Sequence, residues 1–211
     1  MMASNIWGAL ILAGGKSNRM KENKAFMTLG GKPLLSHIVD KVISLTSEII
    51  VVIGKNDDLN KYASLLPSGV KVLKDSMEGI GPLAGMLTGM MSMQSKYALV
   101  LPCDTPFIKS KVIAHLLEMA QKSDAVIPRW PNGYIEPLHA IYKVSSTLPI
   151  IQNALNKGEL FVLDMVKQID KSVYVDIDEI KKLDTKLTTF FNINSREDFK
   201  AAEILLSNTR K

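Results

Sequence analysis

Three six-residue stretches, "WGALIL" (7–12), "EIIVVI" (48–53) and "YALVLP" (97–102), are almost continuously apolar. A strand with no polar face has to be covered on both sides, which is the environment of a parallel sheet sandwiched between helices. Between these runs lie longer amphipathic stretches with helical spacing at 32–45, 81–93, 110–122, 144–158 and 195–208. Shorter strand-like runs follow at 70–73, 124–128, 138–142, 173–177 and 190–193. The alternation predicts an α/β chain built on a mostly parallel sheet.

Local signals refine the helices. Pro33 and Pro82 suit first turns, and Ser110 is a good N-cap. Pro149 should break the helix that Gly158 stops, and Ser195 with Asp198 resembles a capping box. With 211 residues and no repeat, linker or low-complexity tract, residues 1–211 are expected to form one domain.

Composition removes several classes. A single cysteine, Cys103, excludes an internal disulfide and a cysteine-based zinc site, and suits a reducing compartment. The opening "MMASNIWGALILAGG" has no basic segment before its apolar run, so it is expected to be a buried strand of a cytoplasmic protein. No apolar segment is long enough to predict a membrane span. The net charge of +5 could suggest nucleic acid, but the basic residues are dispersed and aromatics are only 6%. An anionic small molecule fits that balance as well.

Three stretches could carry chemistry. The first, "LILAGGKSNRM" (10–20), looks like the end of a P-loop, yet Leu10 stands where that motif needs its first glycine. The dinucleotide-binding glycine pattern is absent too. What remains is a strand ending at Leu12-Ala13, a tight turn at Gly14-Gly15, and a loop with Lys16, Arg19, Lys21 and Lys24. Backbone N–H groups in such a turn can cradle phosphate oxygens, with Arg19 and Lys24 adding charge. A plain connection with solvated lysines reads equally well from spacing alone.

The second is "YALVLPCDTPF" (97–107), where an apolar strand runs into Asp104 between two prolines. Ligands of open α/β sheets gather beyond the carboxyl ends of strands, and Mg²⁺ takes one or two carboxylates plus phosphate oxygens. Asp104 could instead cap the helix after it, but Ser110 is available for that, which favours the metal. The third is "LKDSMEGIGPLAGM" (73–86), with Asp75 after a strand and Gly79, Gly81 and Gly85 around a helix start. Such a helix N-terminus can bind an anion, while Gly85 and Gly89 could equally mark close helix–sheet packing.

These stretches, with "LGGKPLL" and "FFNINSREDF", resemble the molybdenum cofactor guanylyltransferase (MobA) family within the GT-A-like nucleotidyltransferases, in order from residue 9 to about 205. The resemblance implies a Rossmann-like, three-layer α/β/α fold and Mg²⁺-dependent transfer of GMP from GTP to molybdopterin. It further implies nucleotide contacts by the backbone of Leu12, Ala13 and Gly14, and by Lys24, Asp75 and Asp104. Asp104 would hold Mg²⁺, while Asn192 and Asn194 would lie toward the acceptor. Gly15 and Gly81 join the nucleotide set from the turn reading, and Arg19 joins Lys24 and Asp104 as catalytic. Contacts with other proteins of cofactor biosynthesis are an expected corollary; nucleic acid and membrane are not.

The chain departs from the family pattern in "RMKENK", where Lys21 and Glu22 replace glycines, and in "VIGKND", which leaves Asn56 as the candidate at the second strand's end. A basic pair near "GELFVLDMV" is missing. Alternatives are a cytidylyltransferase for the same cofactor, a guanylyltransferase for cobinamide phosphate, or a non-catalytic nucleotide-binding chaperone. His37 and His115 are expected to be structural, and His139 to take a core or edge role.

Overall fold

The computed structural model describes residues 6–14, 23–77 and 80–209. Its centre is a seven-stranded sheet built on the three apolar runs, which form β1 (Trp7–Leu12), β4 (Glu48–Ile53) and β6 (Tyr97–Pro102). With β5 (Lys71–Lys74), β7 (Ala125–Arg129), β8 (Ala140–Lys143) and β9 (Ser172–Asp176), the strand order is β5-β4-β1-β6-β8-β7-β9. All neighbours are parallel except β8, which runs against both β6 and β7. The C-terminal ends of β1, β4, β5, β6, β7 and β9 therefore share one edge.

The continuous apolar runs are explained by two cores. Ala9 and Ile11 of β1 enter a core with α1 (Leu34–Val42) and α4 (Ser110–Met119). Leu10 between them enters the opposite core with α3 (Pro82–Ser92) and α5 (Val144–Asn156). β4 and β6 alternate in the same way. Each fully buried Leu, Ile or Val contributes about 1.5–3 kcal/mol relative to its exposed state. A third, smaller core joins Leu29, Leu34, Ile193 and Ala202 under α8 (Arg196–Thr209).

The structure corrects several local expectations. Helix α1 starts only at Leu34, because Lys32–Pro33 (β3) pairs with Thr28–Leu29 (β2) in a hairpin. Gly30 and Gly31 turn it with φ of 60° and 85°, the two positive angles a tight two-residue hairpin turn needs. Pro149 lies inside an unbroken α5, whose lost hydrogen bond is offset by burial of Ile151 and Ala154 in the core. Ser110 does not cap α4; Lys109 is the N-cap, and Ser110 Oγ donates to the Lys41 carbonyl. The expected strand at 190–193 is absent: Thr188–Phe190 is a 3₁₀ turn entered through Leu187 at φ 51°. That segment crosses the strand ends, where its Ile193 N–H donates to the Asp104 carbonyl at 3.0 Å. The capping box is present, with Asp198 accepting from Ser195 N–H at 2.8 Å and Ser195 Oγ accepting from Asp198 N–H at 3.1 Å.

Gly85 and Gly89 of α3 are packing residues. A Cβ on Gly85 would lie 3.1 Å from Leu12 Cδ2, and one on Gly89 only 2.2 Å from Leu10 Cδ1 and 3.1 Å from its Cγ. Leu10 is fully buried and has no room to retreat. Gly89→Ala is therefore expected to destabilise the fold by about 1–3 kcal/mol. A lowered urea midpoint at unchanged slope would register this.

Candidate active site

Strand β1 is the first of the sheet in sequence but lies in its interior; the chain passes first to β4 on one side and later to β6 on the other. The order switches between β1 and β6, the place in an open α/β sheet whose crevice binds ligands. Backbone bonds stitch the strand ends at this crevice. Ala13 N–H donates to the Val52 carbonyl at 2.8 Å, Cys103 N–H to Leu12 at 3.1 Å, and Asp75 N–H to Ile53 at 2.8 Å. Gly14 allows the first two loops to meet, since a Cβ there would stand 2.9 Å from Gly54 N.

Lys24 is the centre of the site. It opens a 3₁₀ turn (Lys24–Phe26) capped by Asn23, whose Oδ1 accepts from Ala25 N–H at 3.1 Å. Lys24 Nζ donates to Asp104 Oδ2 and to Asn194 Oδ1, both at 2.7 Å. The ion pair is largely buried, each side chain being 17% exposed. Asn194 is fixed in turn by Asp198 Oδ2, which accepts its N–H at 2.9 Å. Three segments distant in sequence thus meet on one ammonium group.

The other predicted residues are distributed around this point. Asp75 ends β5, two strands from β1, where its Oδ1 accepts from Met77 N–H at 3.1 Å and Thr88 Oγ at 3.2 Å. Gly81 is the N-cap of α3 with φ 84°, and no side-chain hydrogen bond caps that helix. Asn192 Oδ1 is buried with no hydrogen-bond partner among the described residues. Gly15, Lys16, Arg19, Lys21 and Gly79 lie outside the described residues.

Asp104 is a lone carboxylate at the end of a strand, and the described residues contain no group of three or more His, Cys, Asp or Glu able to hold a metal. That donor set fits Mg²⁺ shared with substrate phosphates, and does not fit zinc or a fully protein-caged ion. Sequence reasoning gave no role to Tyr62 and Asp57, which bond at the same strand ends. Their only signal was an Asp three residues past Gly54, a common turn-capping position.

The histidines stand aside. His37 bonds the Leu29 carbonyl at 2.9 Å, and His115 pairs with Glu179 at 2.9 Å. His139 is buried and packs edge-on against Phe190 at 5.3 Å. Cys103 turns away from the crevice into the core with Val112 and Ile113.

Two outcomes follow from the surroundings of single residues. Burial, aided by the negative charge of Asp104, pushes the Cys103 thiol up to about 12. At pH 8 the native chain should react with iodoacetamide at least about a thousandfold more slowly than the urea-unfolded chain. The backbone N–H of Asn194 is the main cause that holds Asp198 below the usual carboxylate range. Its stabilisation is present above the unfolded carboxylate pKa and is lost as pH falls through the lowered folded value. Asp198→Asn should cost about 1 kcal/mol at pH 7, and the gap to the parent should close in acid urea titrations.

The geometry has clear counterparts among known proteins. A family model described as the MobA-like NTP transferase domain matches residues 9–171. A probable molybdenum cofactor guanylyltransferase of Methanosarcina mazei is 34% identical over 195 residues, covering 90% of this chain and 87% of that protein. A protein of the same description from Methanosarcina acetivorans is 32% identical, covering 92% of this chain and 88% of that protein. The crystal structure of molybdopterin-guanine dinucleotide biosynthesis protein A from Archaeoglobus fulgidus is similar with a TM-score of 0.80 and 27% identity, covering 95% of this chain and 99% of that one. The α/β sheet with its crevice between the ends of β1 and β6 is thus the fold of an enzyme, and the chain belongs to the MobA-like NTP transferase family of nucleotidyltransferases.

Proposed function

We propose that this chain, acting as one catalytic unit, transfers GMP from GTP to the phosphate of molybdopterin, with release of pyrophosphate. The observation that carries the reading is the convergence of Lys24, Asp104 and Asn194 in the crevice between β1 and β6. The guanylyltransferase names of the relatives support the choice of nucleotide and acceptor.

The chemistry asks little covalent help from the protein. An acceptor phosphate oxygen is already an anionic nucleophile, so no general base is needed. It forms a bond to the α-phosphorus as the bond to the bridging oxygen of the pyrophosphate breaks. The obstacle is repulsion between two polyanions and the charge on the departing pyrophosphate. Lys24 supplies a preorganised cation at this point, in a largely water-excluded setting where each charge counts for more. Arg19 is assigned the same work. The backbone from Leu12 to Gly15 lines the nucleotide, with the Ala13 N–H already given to Val52, while the N–H groups at the start of α3 would receive phosphate oxygens and Asp75 lies on the nucleotide side. Asp104 is the residue that would hold Mg²⁺, whose contribution when bound is neutralisation of the triphosphate and leaving group. Asn192 and Asn194 orient the acceptor. The excess of 26 basic over 21 acidic residues suits two anionic substrates.

The described residues contain no helix long and apolar enough to cross a membrane. The test is pyrophosphate release from GTP and molybdopterin with and without Mg²⁺. Lys24→Ala is expected to lower kcat/KM about 10²–10³-fold. Asp104→Ala is expected to abolish the metal dependence along with turnover, with circular dichroism unchanged. Turnover of CTP in place of GTP would overturn the guanylyl assignment; unaltered rates in both variants would overturn the site.

A further inference from the structure

We propose that Tyr62 is a positioning residue for nucleotidyl transfer: its buried hydroxyl fixes the Lys24 turn to the ends of β1 and β4. The proposal rests on the reading of the site as a nucleotide triphosphate grip, and it concerns what holds that grip in shape. Tyr62 lies on α2 (Leu59–Ala63) and is 1% exposed, far from any solvent role.

Its hydroxyl is the meeting point of three segments. Asn23 Nδ2 donates to Tyr62 Oη at 2.5 Å. The single phenolic proton then faces Asp57 Oδ2 at 3.1 Å, with the Ala13 carbonyl at 3.4 Å. Asp57 Oδ2 also accepts the Gly54 N–H at 2.9 Å, which holds the turn after β4. Asn23 is used at both ends: Oδ1 caps the Lys24 turn at Ala25 N–H, and its amide nitrogen reaches Tyr62. A continuous chain of hydrogen bonds therefore runs from Gly54 through Asp57, Tyr62 and Asn23 to the residue beside Lys24. The ring adds an edge-on contact with Phe26, the last residue of that turn, at 4.7 Å.

This arrangement is more than filling. A phenylalanine would pack the same space against Phe26, so the hydroxyl has to be explained by its three partners. Burial, reinforced by the Asp57 charge, raises the Tyr62 phenol above its ordinary range, so the group stays a neutral donor at every working pH. Networks of this kind hold one geometry because each member satisfies its neighbour in a low-dielectric interior. Catalysis by positioning is sensitive to shifts of about 1 Å, so loss of the hydroxyl reaches the reaction through Lys24.

The test is Tyr62→Phe in the full chain, with two readouts. GTP affinity is measured by calorimetry, and amide hydrogen exchange is followed by NMR. A positioning role predicts GTP binding weakened about tenfold, together with exchange accelerated about tenfold at Ala25 and Gly54. The amides of Ala98–Leu101 in β6, which a general loss of stability would expose, should keep their protection. Both effects together support the proposal. Unchanged affinity, unchanged exchange at Ala25 and Gly54, or loosening spread equally into β6 each overturns it. Should Tyr62→Phe fail to fold, Asn23→Ser keeps a capping oxygen for Ala25 but cannot reach Tyr62, and the same outcomes apply. Should the parent chain bind another nucleoside triphosphate instead of GTP, the guanylyl reading falls and the Tyr62 test proceeds with that nucleotide. A parent chain that binds none overturns both.

Discussion

One ammonium group, that of Lys24, ties together parts of the chain separated by 80 and 170 residues. It accepts this burden because its two partners have complementary chemistry: a carboxylate supplies charge, and an amide oxygen supplies direction. A largely buried lysine carboxylate pair stabilises a fold only weakly in net terms, since desolvation offsets much of the attraction. Its value here is specificity of arrangement. The end of β6, the 3₁₀ turn after β1 and the segment leading to α8 have one way to meet. The same atoms that lock this site are those a triphosphate and its metal would draw upon.

The crevice works because the backbone below it is rigid. β1, β4 and β6 are buried on both faces, and bonds from Ala13 to Val52 and from Cys103 to Leu12 carry the sheet register to its last residues. Glycines then set how closely layers approach. Gly89 and Gly85 lower α3 onto Leu10 and Leu12, while Gly14 lets the β1 turn touch that of β4. Helix α4 carries the chain from β6 to β7 and β8 returns antiparallel between them, so β7 and β9 deliver their C-terminal ends to the same edge as the site.

Much of this was legible in the residues. The boundaries of β1, β4 and β6 follow from their apolar runs, because a strand hidden on both faces leaves no ambiguity of period. Lys24, Asp104 and Asn194 were named as candidates from motif position and family resemblance. What escaped was governed by partners remote in sequence. The segment 190–193 has strand-like composition, yet its Ile193 N–H is taken by Asp104, so it bends across the sheet instead of joining it. Ser110 has ideal capping chemistry but turns to the Lys41 carbonyl, and Pro149 sits in a helix that packing keeps whole. Tyr62 belongs to no motif, because its partners Asn23 and Ala13 stand 39 and 49 residues away.

By itself, then, the amino-acid order determined the class of fold, the three central strands and the residue types that meet at the ends of β1 and β6. Periodicity and local turn chemistry act over a few neighbours, and those are written directly in the chain. Only the tertiary structure decided that Lys24 bonds Asp104 and Asn194 together, that Asp75 faces α3, and that Tyr62 joins Asn23, Asp57 and Ala13. Hydrogen-bond partners are chosen by distance and burial in space, and folding brings together groups that no sequence spacing relates.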